Sequence, residues 1–304
     1  LRKLKKEKRI DFTLSFGDTA NLVNVLSGDP DRTFLTLHGY GSVSYSLIGV
    51  YSYWHSQKTA CVSKVIASEL SKLYQLPAGK TVVLYNPYDF SMMRERAEEP
   101  VTDYIFSPHT IVTHGRLNEV KNYPRLIKAF SLVRDQVFDA QLLMIGEGSL
   151  RPQLEALVKA YHLQNSVTLL GFRKNPFAYL EKSSLYVLSS YSEGFPNALV
   201  EGMAFLPVVA VDCKTGPREI LSDGPVSYVC RGWEETDYGV LVQQAETRAF
   251  NEMLTEDDRV LADAMLSVLM DPAKTKALQA KAQSRVAAFS YEAYQKTLEA
   301  MLEQ

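Results

Sequence analysis

Cysteine and long apolar runs are scarce in this sequence of 304 residues. Its three cysteines, Cys61, Cys213 and Cys230, are far apart, so no pair has zinc-ligand or redox spacing. The odd count also argues against a disulfide framework and favours a reducing compartment. The longest apolar stretches, such as residues 203–211, are far shorter than the roughly 20 residues of a membrane span. Because the charged N-terminus shows no signal peptide, we expect a cytoplasmic globular protein.

The sequence also lacks a strong excess of either charge. Its 33 basic and 35 acidic residues give a net charge of −2, so no global field favours nucleic acid. Basic residues nevertheless concentrate at the N-terminus, between apolar residues, at Arg2, Lys3, Lys5, Lys6, Lys8 and Arg9. This pattern favours the solvated face of a surface helix. The alternative is a patch for peripheral contact with anionic lipid headgroups, which would suit an enzyme with a lipid-linked acceptor.

Apolar residues are plentiful, at 46% of the chain, and the length predicts two domains. From Thr110 onwards, short apolar runs alternate with stretches of helical periodicity. Strands are predicted at residues 110–114, 141–145, 167–170, 185–188 and 208–211. Helices are predicted at residues 123–137, 150–161, 176–182 and 197–205. This alternation predicts an α/β fold with a parallel sheet and helices on both of its faces.

The first hundred residues are less regular than the rest. Strands are predicted there at residues 34–37, 59–62 and 82–84. Residues 95–102 are charged, contain Pro100 and lack periodicity, so they are predicted to form the domain boundary. The C-terminus is predicted to be helical, at residues 257–270, 273–289 and 291–302.

Four glycines, Gly115, Gly146, Gly171 and Gly194, lie just past predicted strands. Ligands of parallel α/β sheets bind beyond the C-terminal ends of the strands. The glycines therefore cluster where a ligand would bind, although each alone could be a tight turn.

The strongest chemical signal lies at residues 192–201, where a strand is followed by a loop and a helix. Pro196 suits the first helical turn, where its missing N–H costs nothing. The free amides of residues 197–199 would point out of the helix end, whose positive pole suits a phosphate. Glu201 lies four residues beyond Asn197, on the same face of the helix, and can accept hydrogen bonds from both hydroxyls of a ribose. Glu193, before the helix, can accept from hydroxyls of a hexose.

Two glutamates with seven residues between them, around a Gly-Phe-Pro-Asn-Ala-Leu core, resemble the signature of family-4 glycosyltransferases. The resemblance covers nearly the whole chain and is strongest at residues 113–221. It implies the GT-B fold, in which two Rossmann-like domains face a cleft and the C-terminal helix crosses back to the first domain. The implied division is a partial N-terminal domain at 1–104, a nucleotide-sugar donor domain at 105–287 and the C-terminal helix at 288–304. Because only 37 residues precede His38, the first domain is expected to be incomplete.

The resemblance also implies which residues bind the donor. Residues 114–122 resemble the family's Gly-Arg…Lys segment, whose cations stabilise the diphosphate leaving group. Residues 170–173 resemble the turn that contacts the nucleobase, and His38 resembles a strand-end histidine near the anomeric centre. The implied catalytic residues are His38, Arg116, Lys121 and Glu193. The implied donor-binding residues are Gly115, Arg116, Lys121, Phe172, Arg173, Glu193, Gly194, Phe195, Asn197, Ala198, Leu199 and Glu201.

Two other segments can each be interpreted in two ways. Residues 212–221 resemble a segment of family members that build bacterial surface polysaccharides, in which Gly216 would approach the sugar and Glu219 would orient the turn or be structural. Residues 29–31, Asp-Pro-Asp, resemble the acid pair that holds a metal in the other glycosyltransferase fold. The preceding glycine and the central proline indicate a turn instead, and the family resemblance implies metal-independent chemistry. We therefore expect no metal and no cofactor besides the donor substrate.

Together these residues predict a retaining glycosyltransferase that moves a hexose from a nucleoside diphosphate sugar to a glycan or lipid-linked glycan. UDP is the favoured nucleotide. No carboxylate of the first domain is obviously placed as a covalent nucleophile, so a same-face substitution is expected. Two alternatives stay open. One is a non-catalytic sugar-nucleotide-binding or partner subunit, and the other is a nucleotide-sugar epimerase of the same architecture, which needs no acceptor.

Overall fold

Two mainly parallel β-sheets organise the part of the chain that the structure describes. The structure is a computed structural model, and it describes residues 1–39, 43, 45–224, 226, 229–246 and 253–303. The elements of the first half are α1 (Arg2–Lys8), β1 (Thr13–Phe16), α2 (Asp18–Leu26), β2 (Thr33–Leu37), α3 (Leu47–Trp54), β3 (Lys58–Cys61), α4 (Lys64–Tyr74), β4 (Thr81–Val83) and α5 (Phe90–Ala97). The strands β1 to β4 pair in chain order and all of them are parallel.

The second half of the chain forms the larger sheet. Its elements are β5 (Thr110–His114), α6 (Tyr123–Gln136), β6 (Gln141–Ile145), α7 (Arg151–Ala160), β7 (Val167–Gly171), α8 (Phe177–Glu181), β8 (Leu185–Leu188), α9 (Asn197–Met203), β9 (Val208–Val211), α10 (Pro217–Leu221), β10 (Trp233–Glu235), β11 (Val240–Val242), α11 (Glu256–Leu269), α12 (Pro272–Arg285) and α13 (Tyr291–Leu302). The described strands have the order β10-β11-β9-β8-β5-β6-β7, and β10 is antiparallel to its neighbour.

The strand order of this sheet reverses between β5 and β8. From β5 the chain adds β6 and β7 on one side, and it then returns to add β8 and β9 on the other. Ligands of open α/β sheets bind at such a switch point, beyond the carboxyl ends of the strands. The topology therefore directs attention to the loops that follow β5 and β8.

Continuous apolar runs explain why these strands lie at the centre of the molecule. Leu142, Leu143 and Met144 of β6 are all fully buried, as are Val208 and Val209 of β9. A strand that buries both of its faces is typical of a parallel sheet between two helical layers. Phe130 and Tyr186 are among the largest fully buried side chains of the described residues.

The C-terminal helix α13 packs on the first sheet. Its Met301 is buried in one cluster with Phe34, Ala60 and Leu84 of the first half. Just before α13, the Phe289 carbonyl accepts a hydrogen bond from the Tyr88 amide at 3.0 Å. The last helix thus crosses from the second sheet back to the first.

The predicted α/β architecture with two parallel sheets is confirmed, and the strands predicted after Thr110 are found to within one residue. Two details refine the predictions of secondary structure. The charged segment 95–102 begins within α5, which continues to Ala97. The helix predicted at 273–289 is α-helical to Arg285 and continues as the 3₁₀ turn Val286–Phe289.

Three other observations bear on the sequence predictions. All three cysteines are free and buried, so the described chain has no disulfide framework. No helix among the described residues combines the length and the apolar character needed to cross a bilayer. The domain boundaries at residues 104 and 287 stay predictions.

Candidate donor-binding site

The loop after β8 and the end of β2 meet at the C-terminal edges of the two sheets. A Cβ atom at Gly194 would collide with the His38 carbonyl oxygen, so only a glycine fits this approach. His38 directly follows the last residue of β2. The structure therefore brings His38, from the first half, against the loop that carries Glu193.

A second loop, after β9, fixes this one from the other side. The Thr215 hydroxyl donates a hydrogen bond to the Glu193 carbonyl. Gly216 has a φ of +93°, in the left-handed region that favours glycine, and a Cβ there would collide with Pro196. The loop from Glu193 to Pro196 is thus held by both halves of the chain.

Lys121 forms an ion pair with Glu193. Its Nζ lies 2.7 Å from Glu193 Oε1, and the side chains are only 17% and 12% exposed. Lys121 ends the 3₁₀ turn Glu119–Lys121, whose N-cap Asn118 accepts a hydrogen bond from the Lys121 amide. The Ser189 hydroxyl donates to the Lys121 carbonyl at 2.7 Å. The segment after β5 is therefore fixed to the end of β8, and its cation reaches the first glutamate of the signature.

A second pair involves the other signature glutamate. His114, the last residue of β5, places its Nε2 2.6 Å from Glu201 Oε2. Both residues line a cavity of about 530 Å³, together with Gly115, Arg116 and the exposed ring of Phe172. The cavity lies at the switch point between β5 and β8, where the sheet topology places a ligand site.

The N-terminus of α9 presents fewer free amides than predicted. The Leu199 amide already donates to the Pro196 carbonyl at 2.9 Å. Among the described residues, the amides of Asn197 and Ala198 have no such acceptor. Leu199 itself is fully buried, so only its main chain could have faced a ligand. Two amides, not three, are left to interact with an anion at this end of the helix.

The same segment packs against residues 85–88, which follow the first sheet. The Asn197 side-chain oxygen accepts hydrogen bonds from Asn86 Nδ2 at 2.7 Å and from the Tyr88 hydroxyl at 2.6 Å. The Phe195 ring is buried and stacks on Tyr85, with ring centroids 5.2 Å apart. Phe195, predicted to bind the donor, thus uses its side chain for packing and leaves only its main chain for a ligand.

The two basic residues beside the cavity differ in their partners. Arg173 binds Asp103 at 2.7 Å, and the Tyr179 hydroxyl donates to the same carboxylate. The hydrogen bonds from Tyr179 and then from Arg173 lower the pKa of Asp103. Arg116 is exposed and forms no side-chain hydrogen bond or ion pair with any residue that the structure describes. Arg116 is therefore the cation available for a ligand, while the Arg173 side chain is engaged.

The His38 imidazole lies partly packed against its own domain. Its Nε2 is 3.0 Å from the Thr36 hydroxyl, and its ring centroid is 5.5 Å from that of Phe16. Partial burial removes water from the imidazole, and this desolvation lowers the pKa of His38 below the ordinary value of 6.5. The imidazole is therefore mainly neutral at neutral pH.

Glu219 has a role that the sequence left open. Its carboxylate is buried and accepts hydrogen bonds from the Lys64 amide, at 2.8 and 2.9 Å, and from the Tyr85 hydroxyl at 2.6 Å. Burial raises the pKa of Glu219, and the hydrogen bonds oppose that rise. Because Lys64 begins α4, Glu219 satisfies a free helix amide across the domain interface. Ser63 in the sequence indicates the helix start, but no local pattern reveals the distant partner.

The basic N-terminal segment forms α1, and it lies at the opposite edge of the first sheet from the cleft. A cavity of about 500 Å³ there is lined by Arg2, Lys5, Lys6 and Arg9, and by Thr13 at the start of β1. The predicted surface helix is thus present. Contact with a lipid stays a prediction.

The acid pair at residues 29–31 forms a turn, as its glycine and proline indicate. Pro30–Arg32 is a 3₁₀ turn, and Arg32 pairs with Asp29 at 3.5 Å. In the part of the chain that the structure describes, no group of three or more His, Cys, Asp or Glu side chains is arranged to hold a metal ion.

An α/β protein with two facing parallel sheets and this cleft belongs to the class of GT-B glycosyltransferases. Residues 108–271, more than half of the chain, match the model of the family Glycosyl transferases group 1, and the chain belongs to that family. The chain also resembles HepE from Anabaena, solved in complex with UDP, with a TM-score of 0.76 over 100% of this chain and 81% of that one. At 18% sequence identity this likeness shows the fold, and it confirms the predicted GT-B-like architecture.

Curated relatives are also similar in sequence, among them the following two. An uncharacterised glycosyltransferase of Methanocaldococcus jannaschii is 33% identical over 255 residues, which are 77% of this chain and 62% of that protein. The N-acetylgalactosamine-N,N'-diacetylbacillosaminyl-diphospho-undecaprenol 4-alpha-N-acetylgalactosaminyltransferase of Campylobacter jejuni is 30% identical over 228 residues, 75% of this chain and 54% of that protein. The chain therefore spans little more than half the length of these relatives.

Proposed function

We propose that the protein is a retaining glycosyltransferase that transfers a hexose from a UDP-sugar to a hydroxyl of a glycan or lipid-linked glycan. The observation that carries the proposal is the pairing of both signature glutamates with residues that follow or end β5. Glu193 is held by Lys121 and Glu201 by His114, at 2.7 and 2.6 Å. The two carboxylates thus lie on either side of the α9 start, as a sugar and a ribose on either side of a diphosphate would require.

The nucleoside side of this site is the cavity of about 530 Å³. Its volume falls within the usual range for small-ligand pockets, about 300–1,000 Å³. Glu201 would accept hydrogen bonds from the ribose, and the main chain at Phe172 and Arg173 would face the base. Engagement of the Arg173 side chain with Asp103 supports this main-chain role.

The diphosphate would lie between the two glutamates. Arg116, which has no partner among the described residues, would supply a planar fork for two phosphate oxygens. The amides of Asn197 and Ala198 would add the positive end of the helix dipole. Lys121 would move from Glu193 to the phosphate, which would free the Glu193 carboxylate to accept from hydroxyls of the hexose.

Transfer would proceed by same-face substitution. The bond between the anomeric carbon and the phosphate oxygen breaks, and the acceptor oxygen forms its bond to the same face of that carbon. The acceptor proton passes to the departing phosphate. Charge grows on this phosphate as the bond breaks, so Arg116, Lys121 and the α9 start would stabilise the transition state. His38, whose main-chain carbonyl lies against Gly194, would position the reacting sugar.

The acceptor is proposed from the relatives. The Campylobacter jejuni relative has an undecaprenol-linked acceptor in its name, and another, 28% identical over 209 residues, is a poly(glycerol-phosphate) alpha-glucosyltransferase of Bacillus subtilis. We therefore propose a role in surface polysaccharide synthesis at the cytoplasmic side of a membrane. The basic cavity around Lys6 and Arg9 would provide the peripheral contact.

Calorimetry of the full-length protein against UDP, GDP and ADP tests the donor. We expect UDP to bind at least about tenfold more tightly than the other two, and equal binding of all three would remove the UDP assignment. Incubation with UDP-hexoses and a lipid-linked acceptor, followed by NMR of the product, should show the donor's anomeric configuration, with or without EDTA. An inverted product would contradict retention, and loss of activity in EDTA would contradict metal independence. Conversion of the UDP-hexose without any acceptor would point to an epimerase, and tight UDP binding without turnover to a non-catalytic subunit.

A further inference from the structure

His114 is a buried imidazole with a single polar partner among the described residues. His114 is the last residue of β5, and its Nε2 lies 2.6 Å from Glu201 Oε2. Its Nδ1 is buried and has no hydrogen-bond partner in the part of the chain that the structure describes. The ring also meets the ring of Tyr186, with centroids 5.5 Å apart and planes at 69°. The imidazole is therefore fixed by packing, and its hydrogen-bonding capacity is directed at Glu201.

An apolar side chain would suit this strand position better if stability were the sole requirement. A buried nitrogen without a partner loses its hydration and gains nothing in return. Ile111 and Val112, earlier in β5, are fully buried and apolar. What the imidazole adds at this position is a donor for the Glu201 carboxylate.

We propose that His114 is a positioning residue of the donor site, which holds the Glu201 carboxylate in the orientation that accepts the ribose hydroxyls. The inference rests on the proposed function, because it takes Glu201 as the ribose ligand. A glutamate on a helix surface has three side-chain torsions, and the hydrogen bond to His114 restricts them before the ligand arrives. Glu201 Oε2 is engaged by His114, while Oε1 has no partner among the described residues. The carboxylate lines the cavity and can accept from the ribose.

The role predicts an effect that depends on the ribose. UDP offers two hydroxyls to Glu201, and 2′,3′-dideoxy-UDP offers none. The wild-type protein should bind UDP about 30-fold more tightly than the dideoxy nucleotide, the scale of lost hydrogen bonds to a charged group. In His114→Leu this preference should fall by about tenfold, because UDP binding weakens while dideoxy-UDP binding changes less than about twofold. Glutamine retains an amide donor, so His114→Gln should restore the preference to within about threefold of wild type.

The matched control lies at the other end of the same strand. His109 precedes β5, and its Nδ1 pairs with the Asp139 carboxylate at 2.9 Å, so it is the same kind of pair at the edge of the sheet away from the cleft. His109→Leu should leave the preference for UDP unchanged. Calorimetry at one pH and one salt concentration gives the dissociation constants of both nucleotides for the three variants and the wild type.

The outcomes separate the two hypotheses. If the wild-type protein binds neither nucleotide, the proposed function fails, and this inference with it. If the wild-type protein prefers UDP but His114→Leu keeps that preference, Glu201 needs no positioning and the inference alone is overturned. Equal weakening of both nucleotides in His114→Leu would show general damage to the cavity, which also overturns it. Should His114→Leu fail to fold, a preference in His114→Gln reduced by more than about tenfold would overturn it as well.

Discussion

The ion pair between Lys121 and Glu193 allows its structural and its functional contributions to be separated. With side chains 17% and 12% exposed, the pair is largely removed from water. Removal of one partner from a buried pair leaves an uncompensated charge and costs about 3–5 kcal/mol, whereas replacement of both partners by neutral groups is often close to neutral. Because neither side chain is fully buried, we expect about 2–3 kcal/mol for Lys121→Met or Glu193→Gln, and about 1 kcal/mol for the double variant.

Activity should follow a different pattern from stability. Loss of a preorganised contact to the transition state lowers the rate by about 10²–10³-fold. Each single variant should therefore lose at least about tenfold in kcat/KM, and the double variant should stay as impaired as the worse single one. Urea unfolding gives the free energies of unfolding, and transfer from the UDP-hexose that the calorimetric panel selects gives kcat/KM.

The double variant decides between the two roles. If it regained the wild-type kcat/KM together with its stability, the pair would be a structural contact and the donor assignment would collapse. The control is Lys128, which pairs with Asp258 at 2.8 Å and joins α6 to α11 outside the cleft. The side chains of this pair are only 7% and 2% exposed, so Lys128→Met should lower the free energy of unfolding by about 3–5 kcal/mol and leave kcat/KM within about twofold.

Three further predictions follow from the interface between the two halves. Burial raises the pKa of Glu219, so the native state binds its proton more tightly than the unfolded chain does, and this stabilisation is lost as the pH rises through the folded pKa. Urea unfolding should therefore show that Glu219→Gln gains stability relative to wild type as the pH rises from the ordinary glutamate pKa of 4.5 through the raised one, and a constant difference would contradict a raised pKa. Gly194→Ala should lower turnover at least about tenfold with little change in UDP affinity, because the alanine Cβ would displace the His38 carbonyl and leave the nucleoside cavity intact. If UDP affinity, measured by calorimetry, falls as much as turnover does, this reasoning is refuted. If neutral His38 is required, the acidic limb of the kcat/KM profile should have its midpoint below pH 6.5, and His38→Gln should abolish that limb.

The sequence predicted the second half of the fold better than the first because its signals there are local. A strand such as β6 is an uninterrupted apolar run, and α6 has one apolar stripe, so the period alone identifies them. In the first half, β1 contains two polar residues in four and was not predicted. Its polar Ser15 is satisfied by the buried Asn21 of α2, at 2.7 Å, a contact that no periodicity reveals.

The candidate site was predictable as a set of residues but not as a set of contacts. The signature and the topology indicate that Glu193 and Glu201 flank the start of α9. The partners of these glutamates lie 72 and 87 residues away in the chain, and only the fold brings Lys121 and His114 to them. The same holds for Glu219, whose main-chain partner at Lys64 is 155 residues distant. Long-range pairing depends on strand order, which the sequence pattern does not specify.

The two glutamates differ in what a donor must do to reach them, and this difference has a consequence for recognition. Glu201, the proposed ribose acceptor, is held by an imidazole that has no other polar partner among the described residues, so its carboxylate is fixed before any ligand binds. Glu193 is held by Lys121, the cation that we propose for the diphosphate. If a phosphate of the donor pairs with Lys121, Glu193 loses its partner and is freed to accept from the hexose. The hexose site would then be completed only after the diphosphate has bound. Uridine and UMP should then gain little from an intact Glu193, whereas a UDP-hexose should lose affinity when Glu193 is replaced by glutamine. Equal effects of Glu193→Gln on UMP and on UDP-hexose binding would show that the sugar side of the site is preformed.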